Sequence, residues 1–403
     1  MRDDQFSLAD VETAAQKLLA YCRANEWAGY DPYDALNSKL FTAMPFLNSR
    51  VPRLILTEAL KGSPINLRRL LQIPKTQNPK GIALFLSALL KVPELDTCGT
   101  GDLVGTLGER LVALRSPDSS YWCWGYSFPW QTDTIFVPRG SPNLVCTTFV
   151  AGALLDVYEQ RQDERYLSMA VSAAEYILDE LLWDDGSFAA GFSYPLPSLR
   201  SQIHNANFLA AALLCRVYKH TGGRKFLSPA LRVARYSAAK QHADGSWYYG
   251  EAPSQRWIDN FHTGYNLCAL QSIGRNVKTT EFDNCIRRGF EFYKAHFFRE
   301  DGAVRYFYNY THPIDTHCVA QSIITLLAFR DLDPGNVPLA RSAFQWAMNH
   351  MWDERGFFYY QIRYFRILGF LTIRTSYMRW SQAWMLLAMS TLLSESVVTV
   401  KHP

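Results

Sequence analysis

The sequence of 403 residues predicts an all-α fold in which six helix hairpins close into an (α/α)6 toroid. Three observations lead to this fold class. A glycine-centred turn recurs at a regular interval along the second half of the chain. Two amphipathic segments lie between successive turns, as expected for stacked helix pairs. The helical segments at the two ends of the chain lack a sequence neighbour, so they can pair with each other and close the ring.

The recurring turn centres on Gly186, Gly245, Gly302 and Gly356, which are 59, 57 and 54 residues apart. The first three glycines follow an aspartate, and an aromatic or aliphatic residue comes within two positions of each glycine. Glycine supplies the positive φ that ends a helix, and the apolar residue returns the chain to the core. The regular interval therefore predicts stacked supersecondary units.

Between these turns, apolar residues recur at helical spacing in pairs of segments. The predicted pairs are residues 81–90 with 103–114, 145–160 with 165–182, 205–220 with 228–241, 260–273 with 280–298, and 314–330 with 337–351. Residues 377–393 form a last helix that needs a partner, and residues 8–22 are the free candidate. Pairing the two ends gives six hairpins and a closed ring. An open solenoid is the structural alternative.

The sequence predicts one toroid domain over residues 1–403, in which residues 24–80 are a less regular N-terminal section. Residues 117–143 combine many aromatic residues with prolines, so they cannot form an ordinary helix. We expect a long loop over the mouth of the funnel, since long ordered loops in compact domains are usually functional. The candidate ligand contacts in this loop are Trp122, Trp124, Tyr126 and Trp130.

Composition limits the class of protein. Hydrophobic residues make up 48% of the chain and charged residues 19%, which allows a large core and argues against disorder. The net charge of +4 includes no long run of like charges, so no nucleic-acid partner is expected. No apolar run reaches about 18 residues, and the N-terminus does not have the features of a secretory signal. Eight cysteines without a CxxC pair indicate buried free thiols in a cytoplasmic protein.

Polar and aromatic residues precede or begin the first helix of each repeat. If those helices form the inner ring, their N-termini meet at one mouth, where free amides favour negative charge. We therefore expect these residues to share one cavity, roofed by the loop of residues 122–130. The residues predicted to share it are His204, Asn205, Asp259, Asn260, His262, Asp315, His317 and Trp380. Further candidate site residues are Trp247, Glu251, Gln255, Arg256, Tyr265 and Arg379.

Each candidate also has a structural interpretation. Asp259 or Asn260 can be the N-cap of its helix, and His262 and His317 can be core histidines. The joint pattern nevertheless suits a sugar chain, because aromatic platforms stack on the apolar faces of sugar rings and amides and carboxylates accept from hydroxyls. Arginines and helix N-termini at the same mouth favour an acidic oligo- or polysaccharide.

Residues 122–126, 250–265, 313–317 and 377–382 resemble a bacterial family of toroid proteins linked to exopolysaccharide biosynthesis. The resemblance covers nearly the whole chain from about residue 80, and it implies a role in polysaccharide synthesis or modification. More distantly, residues 256–263 are similar to the Trp-Asp-x-His-Thr stretch of glucuronyl C5-epimerases, with one extra residue.

The leading hypothesis is an enzyme that removes the C5 proton of a uronate-containing saccharide. His262 or Tyr265 would act as base or acid, and Asn205, Asn260 and Arg256 would stabilise the enolate-like carboxylate. Epimerisation and β-elimination share this first step, so the sequence does not separate them.

Two alternatives stay open. One is a glycoside hydrolase that uses Asp259 and Asp315, or Glu251, as its carboxylate pair. The other is a non-catalytic saccharide-binding or assembly factor. No zinc-type cluster or nucleotide-binding motif is visible in the sequence, so we expect no metal or other cofactor and an activity that survives chelation.

Overall fold

The computed structural model describes residues 7–96, 101–186, 189–367 and 369–401. Cys98, and Ser187 and Phe188 of the first predicted turn, lie outside these ranges. The helices of the described residues are, in chain order, α1 (Leu8–Ala24), α2 (Lys39–Thr42), α3 (Arg50–Gly62), α4 (Pro79–Lys91), α5 (Leu103–Ala113), α6 (Leu144–Arg161), α7 (Glu164–Tyr176), α8 (His204–Thr221), α9 (Arg224–Ala238), α10 (Asn260–Val277), α11 (Asp283–Phe297), α12 (Thr316–Ala328), α13 (Asn336–Met351) and α14 (Ala383–Lys401).

Six of these helices form a closed inner ring. Each of α4, α6, α8, α10, α12 and α14 packs against the next, and α14 returns to α4. The outer helices α5, α7, α9, α11 and α13 each pack against the inner helix that precedes them, and α1 packs against α14. The predicted (α/α)6 toroid and its closure through the two chain ends are confirmed, and the open solenoid is wrong.

Burial explains which helices are inside. The outer helix α1 buries one stripe, in which Val11, Ala15, Leu18 and Cys22 follow one another at helical spacing. The inner helix α12 is instead buried along most of its length, and Val319, Ala320 and Gln321 are successive buried residues. A helix that contacts neighbours on all sides lacks a polar face, as expected for the inner layer.

The repeated turns have the conformation that the sequence predicts. Gly186, Gly245, Gly302 and Gly356 have φ values between +77° and +94°. Gly245 also lies against α11, because a Cβ atom built at this position would be 2.2 Å from the carbonyl oxygen of Arg288. These turns therefore set the height at which each hairpin joins its neighbours.

Short antiparallel strands connect the helices. In chain order they are β1 (Trp130–Gln131), β2 (Phe136–Val137), β3 (Leu182–Asp184), β4 (Ala190–Phe192), β5 (Ile314–Asp315), β6 (Trp352–Asp353), β7 (Phe357–Phe358), β8 (Gln361–Phe365) and β9 (Gly369–Ile373). Strands β1 and β2, β3 and β4, and β6 and β7 form pairs, and the remaining sheet has the order β5-β8-β9. In that sheet Asp315 lies opposite Gln361, and Gln361 lies opposite Ile373.

Several helix ends differ from the predicted ranges, and two of the helices include a π-helical turn. The predicted helix at 165–182 ends its α-helical part at Tyr176 and continues as a π-helical turn, Ile177–Leu181. The last predicted helix likewise begins with a π-helical turn, Met378–Gln382, before α14. Among the residues that the structure describes, no helix is both long and apolar enough to cross a lipid bilayer.

Candidate active site

A cavity of about 450 Å³ opens where the inner helices begin. Many of the predicted site residues line it, together with residues that were not predicted. The selected residues in its wall are Tyr126, Trp130, Asn205, Gln255, Asp259, His262, Tyr265, His317, Arg379 and Trp380. The structure thus brings together residues from the aromatic loop and from the starts of several inner helices.

Local hydrogen bonds explain why two of these helices begin at the cavity. Asp259 is the N-cap of α10, and its Oδ1 accepts from the backbone N–H of His262 at 2.9 Å. Asp315 is the N-cap of α12, and its Oδ1 accepts from the backbone N–H of His317 at 2.8 Å. Each carboxylate satisfies an amide that the helix itself leaves free.

Asp259 also orients the imidazole of His262. Its Oδ2 lies 2.7 Å from Nδ1 of His262 and accepts from Nε1 of Trp257 at 3.0 Å. The Asp259 side chain is buried, whereas that of His262 is 20% exposed and lines the cavity. A carboxylate at Nδ1 favours the tautomer that carries its proton there, which leaves Nε2 free to accept a proton. His262 therefore has the arrangement of a general base.

A second pair lies one helical turn further along α10. The hydroxyl of Tyr265 is 2.7 Å from Nε2 of His317, and the rings of Tyr265 and His262 have centroids 6.0 Å apart. Burial raises the pKa of Tyr265 well above its ordinary value, so the hydroxyl keeps its proton. Burial, with the cations Lys80 and Arg379, lowers the pKa of His317 well below its ordinary value, so its imidazole is neutral. Tyr265 therefore presents a protonated phenol beside a neutral imidazole.

Further aromatic residues, which were not predicted from the sequence, line the cavity. Tyr249 stacks on Trp257, with ring centroids 4.6 Å apart and an interplanar angle of 11°. Tyr33, Tyr194 and Tyr306 also line the cavity. Flat rings of this kind can stack on sugar rings. No repeated motif marks these tyrosines, because they lie in connections of different lengths.

Arg379 lines the cavity, but its charge is already paired. Its Nε and Nη2 donate to the carboxylate of Asp31 at 2.7 and 2.8 Å, and both residues are buried. The guanidinium also lies over the rings of Tyr126 and Trp380. Asp31 belongs to the less regular N-terminal section and was not selected from the sequence, since nothing in its neighbourhood marks it as a partner of Arg379.

Three predicted tryptophans lie away from the cavity, which corrects their expected position. Trp124 is fully buried, and its Nε1 donates to the carbonyl of Leu111. Trp247 is 2% exposed, and its Nε1 donates to the carbonyl of Ser237 between α9 and its neighbours. The half-buried ring of Trp122 lies under the guanidinium of Arg115. These rings are anchored in the core or against the outer layer, because each has a polar or cationic partner there.

Two predicted polar residues lie behind the cavity wall. Asn260 is fully buried, and its side chain bonds to Ser322 and to the hydroxyl of Tyr293, on α12 and α11. Asp315 is also fully buried, and its carboxylate accepts from Gln361 and from Nε1 of Trp380. Burial raises the pKa of Asp315 to about 6. Both residues join structural elements and do not line the cavity.

The remaining predicted residues also lie outside the wall. Nε2 of His204 is 2.8 Å from the carboxylate of Glu251, and His204 is 1% exposed. Arg256 is exposed, and its Nε donates to the backbone carbonyl of Glu251 at 3.4 Å. The short 3-10 turn Pro253–Gln255 lies between these residues, and its Ser254 and Gln255 line the cavity.

The fold and the site together define an (α/α)6 toroid with an aromatic cavity that contains a His–Asp and a Tyr–His pair. No protein-family profile matches the chain, and no curated protein matches it. Several solved structures have the same fold. An unsaturated glucuronyl hydrolase from a Bacillus species, described as responsible for the degradation of glycosaminoglycan, is 13% identical with a TM-score of 0.62, covering 95% of this chain and 96% of that chain.

Two other solved structures show the same likeness. A family 76 α-mannanase from Bacteroides thetaiotaomicron is 14% identical with a TM-score of 0.59, covering 80% of this chain and 88% of that chain. A cellobiose 2-epimerase from Spirochaeta thermophila is 12% identical with a TM-score of 0.56, covering 80% of this chain and 87% of that chain. At these identities the likeness establishes the fold, and the function has to be argued from the site.

Proposed function

We propose that the protein is a carbohydrate-active enzyme that removes the C5 proton of a uronate residue in an acidic oligo- or polysaccharide. The observation that carries this proposal is the arrangement of two proton-transfer groups on adjacent turns of α10. His262 is oriented by Asp259 and has a free Nε2, and Tyr265 is a protonated phenol beside His317. Proton abstraction next to a carboxylate requires such a base and an acid within reach of one substrate.

The proposed mechanism assigns one role to each group. Nε2 of His262 takes the C5 proton, and the electron pair moves into the adjacent carboxylate to form an enolate-like intermediate. Tyr265 then donates its proton, either to C5 in an epimerisation or to the oxygen that leaves C4 in a β-elimination. Asn205 lines the same cavity, and its buried Oδ1 has no hydrogen-bond partner among the described residues.

The position of the acids favours proton abstraction over glycoside hydrolysis. A hydrolase of the usual kind needs two carboxyl groups on either side of the scissile bond. Of the three acids that the sequence suggested for this role, Asp259 lines the cavity, whereas Asp315 and Glu251 do not. Asp133 is another acid of the wall, but it is exposed in the connection between β1 and β2.

The solved structures of the same fold support a role on carbohydrates, because they include a glucuronyl hydrolase, a mannanase and an epimerase. The resemblance of residues 250–265 and 377–382 to exopolysaccharide-linked proteins supports a place in exopolysaccharide biosynthesis. The proposed ligand is therefore a bacterial uronate-containing saccharide. A non-catalytic binding or assembly factor is the second candidate, and the aromatic walls of the cavity serve that function equally well.

Incubation of the protein with uronate oligosaccharides in deuterated water tests the proposal. Mass spectrometry and NMR of the recovered sugars should show solvent deuterium at C5, or a product with a C4–C5 double bond. New reducing ends without either change would indicate a hydrolase. Retention of the oligosaccharides on the protein without any chemical change would indicate a binding factor.

A further inference from the structure

Lys80, in the first turn of α4, is a buried lysine that lines the cavity. It is only 3% exposed. Its Nζ lies 4.0 Å from the ring centre of Phe149, 5.3 Å from that of Trp384 and 5.4 Å from that of Tyr265. No residue that the structure describes forms a hydrogen bond or an ion pair with this nitrogen. A cation in such a place is held by aromatic faces alone and lacks a counter-ion.

Apart from the exposed Asp133, the other charged groups of the described wall already have partners. Arg379 is paired with Asp31, and the carboxylate of Asp259 is held by His262. Lys80 is therefore the basic group of the described wall that has no counter-ion. Burial, with the nearby Arg379, lowers the pKa of Lys80 well below its ordinary value. A ligand that carries a negative charge to this position would restore the charged form of the lysine.

We infer that the ammonium group of Lys80 binds the carboxylate of the substrate's uronate residue, an inference that rests on the proposed function. In a uronate the carboxylate is bonded directly to C5. Because Lys80 lies beside the ring of Tyr265, a carboxylate on its Nζ brings C5 next to the proton-transfer groups of α10. The ammonium also stabilises the charge that develops on the carboxylate when the C5 proton leaves. Lys80 thus takes the role that the sequence suggested for Arg256.

Affinity for matched sugars tests this inference. The panel consists of tetrasaccharides of glucuronate, galacturonate and mannuronate, each with its carboxyl-reduced neutral counterpart. Calorimetry should show that the wild type prefers the acidic member of a pair, and that Lys80→Met loses this preference by a factor of about 10 to 100. Lys61→Met is the matched control, because Lys61 also lies over a ring, that of Tyr33, but is paired with Glu58. This control should keep the preference.

The outcomes separate this inference from the proposed function. Equal affinity of the wild type for acidic and reduced sugars would overturn the role of Lys80 and leave a carbohydrate function in place. Lys80→Met that keeps its affinity but loses turnover would show a proton-transfer role instead and would also overturn it. Selective binding without exchange at C5 would refute the proposed chemistry alone, and binding of no member would refute both. The wild-type comparison needs no variant, so it can overturn the inference even if Lys80→Met does not fold.

Discussion

Asp259 links the start of a helix to the proposed base. One of its oxygens caps α10, and the other holds Nδ1 of His262. The position of the imidazole is therefore fixed by the same residue that begins the helix. A substitution of Asp259 would change both the stability of the helix and the orientation of the ring. His262 is the better place to test the chemistry, since its partly exposed side chain contributes little to the core.

The buried carboxyl of Asp315 makes the stability of the protein depend on pH. Its folded pKa of about 6 lies above its ordinary value of 3.8, so the folded state binds more protons between these values. Its contribution to the free energy of unfolding is therefore present below about pH 4 and is lost as the pH rises through about 6, by about 3 kcal/mol in all. Urea unfolding of the wild type and of Asp315→Asn measures this contribution.

The difference in free energy of unfolding between the wild type and Asp315→Asn should fall as the pH rises from about 4 to about 8. The exposed Asp283, at the start of α11, gives the control Asp283→Asn, whose difference from the wild type should change much less. A difference for Asp315→Asn that stayed constant or grew with pH would show that its three hydrogen bonds outweigh its burial.

For the individual site residues, the sequence predicts the position in the repeat but does not predict which side chain faces the cavity. The sequence shows that polar residues begin the inner helices, but neighbouring residues on a helix point about 100° apart. Asp259 thus lines the cavity while Asn260 points between the helix layers. Lys80 was missed because its repeat is the faintest in the sequence, and a lone lysine in an apolar helix carries no motif.

At the scale of the elements, the turn glycines determine how the hairpins stack. The turn at Gly245 packs its backbone against α11, and the turn at Gly302 lies against Ser342 of α13. In both cases the turn contacts the outer helix of the following repeat, and Gly356 likewise lies against Lys17 of α1. These three contacts keep the starts of the inner helices at one height, so that their polar residues share a cavity.

Substitution of Gly186 and of Gly245 by alanine should lower the free energy of unfolding by different amounts. A Cβ at Gly186 has no atom of the described residues within 4 Å, so Gly186→Ala should cost only the strain of positive φ, about 1–2 kcal/mol. Gly245→Ala has the same backbone strain and also brings a Cβ to 2.2 Å from the carbonyl oxygen of Arg288, which should add about 1–3 kcal/mol. Urea unfolding of the two variants gives the comparison. Equal losses would show that the turn does not need its close approach to α11.

The helices could be predicted because their apolar periodicity and the spacing of their turns agree. The β8–β9 hairpin could not, since it inserts between the last turn and the last helix and follows no repeat. Its exposed apolar residues, such as Ile367 and Phe370, also do not alternate in the way that a half-buried strand requires.

The whole molecule depends on contacts between the two ends of the chain. Helix α1 packs on α14, and α14 packs on α4. The cavity also depends on contacts between the two ends of the chain. Asp31 near one end pairs with Arg379, which lies 348 residues later. The ring closure could be predicted from the count of unpaired helices. The ion pair could not, because sequence distance gives no information on which charges meet once the ring closes.

The rate at which His262→Ala removes the C5 proton of a uronate, compared with that of the wild type, tests the central claim most directly. The comparison uses wild type, His262→Ala and a control, His220→Ala, which removes another histidine–carboxylate pair, that of His220 with Glu159 at 2.7 Å. All three should unfold at similar urea concentrations and bind the same uronate oligosaccharide. Incorporation of deuterium at C5, or formation of the C4–C5 double bond, should proceed in the wild type and in His220→Ala and fall by a factor of about 10² to 10⁴ in His262→Ala. An undiminished rate of either reaction in His262→Ala would contradict the account.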